Sequence, residues 1–358
     1  MNPPSALKRV LIVDDSVLMC QVLTQLISGD AQLSVVGVAH NGQEAVRMVP
    51  RLKPDVVLMD LGMPVMDGLE ATKQIMAYSP VPILIMTMSA EYMNNLNLPF
   101  EAISYGALDV IGKLDIQGIP GAESPTVDLS QRLKTLSSVK VISHPLAKFE
   151  RLRQRRPFDK KMQSEGEPLV AIASSTGGPQ ALLTVLKALP KDFPCGVVIV
   201  QHISAGFAQG LADWINREVE LTVKLAVDGE SIEPGIAYIC PSGVQLRIKK
   251  ERCFHLTQEP ACHGHKPSAT ILFESVAEVY GNRAIGVILT GMGADGSTGL
   301  QKLHAASGKV LAQDEATSVV FGMPKAAIDL GVVDWVLPID QIAPQLLKIL
   351  NLPVWTPL

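Results

Sequence analysis

Five polar side chains in the N-terminal third each stand at the end of a short apolar run. Asp14 and Asp15 follow KRVLIV (8–13), Asp60 follows DVVLM (55–59), Thr87 follows PILIM (82–86), and Lys113 closes LDVIGK (108–113). Three carboxylates in one cleft repel each other unless a cation is present, and hard oxygen ligands with room for water suit Mg2+. A carboxylate, a metal, a hydroxyl and an ammonium together can accept a phosphoryl group: the metal and Lys113 offset the phosphate charge while Asp60 attacks. Taken singly, Asp14 or Asp15 in VDDS reads equally well as a helix cap.

A second set repeats the logic with other residues. PLVAIAS (168–174) runs into Ser175, CGVVIVQ (195–201) into His202, and AIGVILT (284–290) into GMGADGSTGL, which carries Asp295. A serine hydroxyl is a weak nucleophile without a base. His202 can take its proton, Asp295 can orient the imidazole, and backbone N–H groups of the glycine-rich turns can hold an oxyanion. The turn resembles the nucleophile elbow G-x-S-x-G only loosely, because Ala173 replaces the first glycine. Other readings stay open on pattern alone. Ser175 can be a helix N-cap, His202 a structural histidine, and TGMGADG a phosphate-binding nest. The turn Ser175–Gly178 can cradle an anion at a helix start. Cys262, His263 and His265 invite a zinc reading, but C-H-x-H lacks structural-site spacing.

Strand-length apolar runs must position both sets. Their near-continuous hydrophobicity suits parallel sheets covered on both faces, and amphipathic stretches such as VLMCQVLTQLIS and GQEAVRMVPRL lie between them. This alternation predicts doubly wound α/β domains, in which ligand sites gather at the carboxyl ends of strands. A chain of 358 residues, 47% of them hydrophobic, supports about two such domains and excludes global disorder. No run approaches a membrane span, and the first apolar run is too short for a signal peptide. Five cysteines (20, 195, 240, 253, 262) without framework spacing read as free thiols of a reducing compartment, so we expect a cytoplasmic protein.

The formal charge of −4 divides unevenly. Residues 1–115 carry 7 basic and 12 acidic side chains, residues 116–166 carry 10 and 5, and residues 167–358 carry 14 and 18. The middle segment opens with the turn-rich QGIPGAESPTVD, has weak helical spacing in LSQRLKTLSSVKVI, and closes on a basic run from Lys148. It reads as a solvated, self-repelling tether, with a docking surface for an acidic partner as the alternative. The acidic total argues against a protein that coats nucleic acid or an anionic membrane, and the lack of a long apolar run against membrane insertion.

Residues 8–115 resemble a response-regulator receiver domain through VLIVDDS, VVLMDLGMPVMDG and GALDVIGK. The resemblance implies a flavodoxin-like fold. It implies phosphorylation of Asp60 by a sensor histidine kinase with Mg2+ held by Asp14, Asp15 and Asp60. Thr87 would be the switch hydroxyl and Lys113 the phosphate-pairing lysine. Two positions depart from the family: Val110 stands where an aromatic is usual, and Leu114 where a proline is usual. Residues 91–100 (EYMNNLNLPF) are atypical too. We expect Val110 to weaken phosphorylation control, which a Val110→Tyr variant with stronger activation by a phosphodonor would bear out.

Residues 168–350 resemble the catalytic domain of the chemotaxis protein-glutamate methylesterase family. The matching segments are AIASSTGGP, VVIVQH, DGESIEPGIAYICPSG, HKPSATILF, GVILTGMGADG and AQDEATSVVFGMP. The implied roles are Ser175 as nucleophile, His202 as base and Asp295 as acid. Thr176 would steady the histidine, and the Met292 N–H would serve the oxyanion. Here too there are departures. Ala173-Ser174 replaces Gly-Ala, adding a second hydroxyl beside Ser175, and Thr270 replaces the last carboxylate of R-P-S-V-D.

The expected architecture is two doubly wound, mainly parallel α/β domains: a receiver (1–115), a basic linker (116–166) and a Rossmann-like methylesterase domain (167–358). The expected protein is a phosphorylation-regulated serine esterase. It demethylates glutamyl methyl esters and deamidates particular glutamines on chemoreceptors, with no cofactor in the esterase site, and is monomeric. The resemblance implies that the receiver covers the esterase site until Asp60 is modified. Alternatives are the same esterase chemistry in another pathway, a noncatalytic phosphorylation-dependent scaffold, and a transcriptional regulator. The last needs a basic reading surface that the acidic C-terminal segment lacks.

Overall fold

The computed structural model describes residues 7–88, 97–119, 128–141 and 167–353. Residues 91–96 of the atypical stretch and 142–166 of the connector lie outside the described residues. The chain divides into two compact units.

The first unit alternates β1 (Lys8–Val13), α1 (Val17–Ser28), β2 (Leu33–Ala39), α2 (Gly42–Leu52), β3 (Val56–Asp60) and α3 (Gly68–Tyr78). It continues through β4 (Ile83–Thr87), α4 (Leu98–Ser104), β5 (Asp109–Gly112) and α5 (Leu129–Leu136). All strand pairs are parallel, in the order β2-β1-β3-β4-β5, one of the two common orders of doubly wound sheets. β3 and β4 are buried at every position, the signature of strands covered on both faces. β2 lies at the sheet edge, and its five central residues are only half-buried.

Helix starts follow from local chemistry. The Ser16, Asn41, Asp67 and Asp128 side chains each accept the N–H three residues on, capping α1, α2, α3 and α5. The weak helical spacing of the connector is α5, and it belongs to the first unit. Leu129, Leu133 and Leu136 are buried, Lys134 Nζ lies 2.7 Å from Asp30, and Arg132 pairs with the buried Asp109 at the start of β5. The first unit therefore runs past residue 115.

The second unit begins with β6 (Leu169–Ser174), α6 (Gly178–Lys187), β7 (Gly196–Gln201), α7 (Ala208–Glu218), β8 (Thr222–Leu225) and β9 (Ile236–Ile239). An antiparallel hairpin, β10 (Gln245–Ile248) and β11 (Phe254–Thr257), interrupts the alternation. Then come α8 (Ala269–Tyr280), β12 (Ala284–Ile288), α9 (Ser297–Ala305), β13 (Lys309–Gln313), α10 (Met323–Asp329), β14 (Trp335–Leu337) and α11 (Ile339–Ile349). Its parallel sheet is ordered β14-β13-β12-β6-β7-β9-β8. β6 sits between β12 and β7, with Ile288 opposite Ala173 and Ser174 opposite Gln201. An aliphatic core with Phe254, Phe273 and Tyr238 packs one face of this sheet, as the scarcity of aromatics leads one to expect.

Among the described residues, no helix is long and apolar enough to cross a membrane. All five cysteines are free, and burial pushes the Cys195 thiol up to about 12, far from a reactive thiolate.

Candidate functional site

In the first unit the candidate residues stand at strand ends. Asp14, fully buried, follows β1; Asp60 ends β3; Thr87 ends β4; Lys113 follows β5. Lys113 Nζ lies 2.7 Å from Asp14 and 3.1 Å from Asp60. Asp14, Asp15 and Asp60 can each turn an oxygen to a common point, with these atoms within 4.8 Å of one another. One ammonium thus pairs with two carboxylates of a cluster of three. Burial drives the Asp60 carboxyl above its usual range; Lys113 opposes that and Asp14 adds to it. Burial would depress Lys113, but Asp60 and Asp14 more than reverse this and hold it protonated. The excess negative charge and the all-oxygen donor set fit a hard divalent cation. Val110, at the usual aromatic position, is a buried β5 residue paired with Ile85, so it offers no side chain that could swing between two rotamers at the surface.

In the second unit Ser175, His202 and Asp295 leave the adjacent central strands β6, β7 and β12. Backbone bonds fix the turns: His202 N–H donates to Ser174 O (2.9 Å) and Ser175 N–H to Thr290 O (3.0 Å). Gly177 takes φ +76° in the turn into α6, a conformation that favours glycine. Gly291 lets the next loop approach, since a Cβ there would lie 2.8 Å from Ser175 Cβ and 2.4 Å from Met323 Sδ.

The two serines of the turn part company. Ser174, with no exposure, donates to Gln201 Oε1 at 2.6 Å. Gln201 Nε2 in turn donates to the Ser175 and His202 carbonyls, both at 2.8 Å. Ser174 and Gln201 are thus a brace across β6 and β7, and the Ser174 hydroxyl is committed. Ser175 heads the turn, and no hydrogen bond joins its hydroxyl to His202 among the described residues; such bonds often close only with substrate.

Asp295 is held from many sides. It accepts from His202 Nε2 (2.8 Å), Ser268 Oγ (2.7 Å), and the N–H groups of Ala269 (2.7 Å), Thr270 (3.1 Å) and Gly296 (3.0 Å). The Ala269 and Thr270 donors open α8, where an anion is favoured. Burial alone would raise the Asp295 carboxyl. The His202 hydrogen bond and charge, with the bonds of Ser268 and Ala269, overturn that and hold it well below the usual range. A carboxylate so ionised accepts only, so in the neutral imidazole the His202 proton sits on Nε2 and the lone pair on Nδ1. That Nδ1 is buried without a hydrogen-bond partner among the described residues.

Two of the departures acquire reasons here. The hydroxyl of Thr270 accepts the Gly296 N–H at 2.9 Å, so an acceptor survives where the carboxylate was lost, without a second negative charge beside Asp295. Ala173 is fully buried in β6 and its methyl is accommodated in the core. Thr176 Oγ1 is also buried without a partner, so the contact that would steady His202 is absent among the described residues. The Met292 N–H enters none of the backbone hydrogen bonds of the described turns. Cys262, His263 and His265 do not form a metal-holding group; among the described residues only Asp14, Asp15 and Asp60 do. Gln201, Ser268 and Gln245 were missed by sequence reasoning, although the first two lie inside the quoted VVIVQH and HKPSATILF.

Fold and sites together define a response regulator that carries an α/β output unit in place of a DNA-reading one. The receiver family, described as the response regulator receiver domain, matches residues 10–117, and the family described as CheB methylesterase matches residues 170–346. The chain is 42% identical over 341 residues to protein-glutamate methylesterase/protein-glutamine glutaminase 2 of Anaeromyxobacter dehalogenans, covering 93% of this chain and 94% of that one. It is 39% identical over 355 residues to the protein-glutamate methylesterase/protein-glutamine glutaminase of Halalkalibacterium halodurans, covering 95% and 97%. The crystal structure of the Thermotoga maritima CheB methylesterase catalytic domain is similar, at 40% identity and TM-score 0.50, over 52% of this chain and all of that one. The chain belongs to the CheB methylesterase family.

Proposed function

We propose that this protein is a phosphorylation-controlled serine esterase that hydrolyses glutamyl γ-methyl esters on the cytoplasmic helices of chemoreceptors. It would also deamidate particular receptor glutamines. The observation that carries the reading is the His202–Asp295 pair: a clamped, ionised carboxylate fixes the proton on Nε2 and leaves a buried, unpartnered Nδ1 as the base, one strand over from Ser175.

Ser175 Oγ attacks the ester carbonyl carbon as its proton passes to His202 Nδ1. The carbonyl oxygen becomes an oxyanion, for which the Met292 N–H is the donor carried over from the family. The bond to the methoxy oxygen breaks, His202 returns the proton, and methanol leaves. Water then gives a proton to His202 and its hydroxide to the acyl carbon, the bond from that carbon to Ser175 Oγ breaks, and His202 returns the proton to Oγ as glutamate leaves. With glutamine the leaving group is ammonia, a poorer one, so protonation by His202 matters more. The buried, unpartnered Thr176 hydroxyl lies in the same turn and makes no bond to the base, which leaves it able to donate to substrate.

In the receiver, Asp60 takes the phosphoryl group from a histidine kinase and Lys113 offsets its charge. Asp14, Asp15 and Asp60 would hold Mg2+, which when bound neutralises phosphate charge. The domain limits that go with this reading are a receiver extended through α5, a basic connector, and an esterase unit from about residue 167.

Methanol release from methylated receptor membranes, with and without a small phosphodonor, tests the whole. Asp60→Asn should keep basal release and lose the increment; an increment that persists would remove Asp60 as the acceptor. Gly291→Ala should lower kcat by roughly 100-fold, because the new methyl displaces Ser175 and sub-ångström placement governs attack. Steady-state kinetics with wild-type rates would show that the turn yields elsewhere.

A further inference from the structure

The reaction as derived gives no task to His265. Its ring lies parallel to that of His202, with centroids 4.0 Å apart and planes 2° from coincidence. The loop that carries it is built for fixed placement. His265 exchanges both backbone hydrogen bonds with Cys262, at 2.9 and 3.0 Å. Gln245, fully buried at the start of β10, donates to the carbonyls of His265 and Pro260, both at 3.1 Å, and accepts from Ser268 N–H at 2.8 Å. Ser268 itself donates to Asp295. One buried amide thus fastens the stacked ring and the support of the acid to the same strand.

We propose that His265 is a positioning residue for His202: its imidazole face fixes the plane of the base and stabilises the imidazolium that the base becomes. The proposal rests on the assignment of His202 as base. A ring tied only through Nε2 can tilt about that bond, and the tilt carries Nδ1 away from the serine. A parallel ring at 4.0 Å blocks the tilt on one side. The electrostatic gain is selective. Two neutral rings attract mainly by dispersion, whereas an imidazolium over a π face is also drawn by its negative quadrupole. The contact therefore strengthens as His202 takes the serine proton, and an interaction stronger in the transition state than in the ground state raises kcat.

The test uses the full chain and methylated receptor membranes. His265→Ala should lower kcat about 3- to 30-fold with KM within about twofold, and His265→Phe, which keeps a face but cannot carry a proton, should recover most of the loss. A readout independent of turnover is the ring-current shift of the His202 C–H resonances in histidine-labelled protein: upfield in wild type and His265→Phe, relaxed in His265→Ala. Three results overturn the proposal: kcat unchanged in His265→Ala, a loss confined to KM, or a phenylalanine variant as slow as the alanine one. Turnover that survives in His202→Ala would instead overturn the base assignment, so the two failures are told apart.

Discussion

Replacing Ser175 by alanine is expected to cut methanol release by on the order of 10^4- to 10^6-fold while leaving the unfolding midpoint near that of wild type. The alanine removes the attacking oxygen from a turn whose shape is set by backbone bonds to Thr290 and Ser174 and by the Gln201 amide, none of which needs the Ser175 hydroxyl. The neighbouring substitution should do the reverse. Ser174→Ala deletes a buried donor and strands Gln201 Oε1, which costs about 1–3 kcal/mol of stability. It should leave turnover within about tenfold of wild type, because the reacting atoms are untouched. Rates and thermal melts of the two variants side by side decide the matter. An inactive Ser174→Ala beside an active Ser175→Ala would exchange the roles of the two serines.

Asp295→Asn should be nearly as severe, lowering kcat about 10^4-fold, and unlike Ser175→Ala it should also destabilise the second unit. Five donors point at this carboxylate. An asparagine presents an NH2 on one side, so at least one of them meets another donor. The proton of His202 then loses the charge that fixes it on Nε2, and the lone pair can move off Nδ1. The pH dependence carries a definite sign. The folded carboxyl lies well below the unfolded value of about 3.9. Its contribution to stability is therefore full above that value and is lost as pH falls below it towards the folded value. Urea unfolding at pH 7 and near pH 3 should show wild type losing more stability on acidification than Asp295→Asn. Equal losses would mean that the carboxylate is not held in its charged form by the fold.

Much of this arrangement was legible in the order of apolar runs. KRVLIV, DVVLM, PLVAIAS and CGVVIVQ are buried on both faces, so their ends could be located and their polar successors grouped. LSVVGVA was harder to read because Ser34 and Gly37, both poor strand signals, interrupt its β-branched residues, and β10 and β11 are four residues each. LSQRLKTL looked like part of a tether because its helical spacing is weak; both of its charges, Arg132 and Lys134, are ion-paired to the first unit. At the candidate site, the residues proposed to react were visible as types placed at strand ends. The residues that hold them were not. Gln201, Gln245 and Ser268 act through amide and hydroxyl bonds between segments far apart in sequence, and no local spacing records such a bond. The same holds for His265, whose neighbours Cys262 and His263 suggested a metal while its ring was stacked on the base.

The position of β6 between β7 and β12 also bears on how activity can arise during synthesis. His202 and Asp295 are 93 residues apart, and Ser175 lies on the strand that both flanking strands pair with. Loop-closure entropy must be met before such distant contacts stabilise anything, which makes parallel pairing of this kind slow. A nascent chain can complete the receiver sheet while the esterase strands are still emerging, since domains fold as units from the N-terminus. Hydrolytic competence should then appear only when β12 docks against β6. The phosphoacceptor would mature first, and no truncated chain ending before β12 could hydrolyse an ester prematurely.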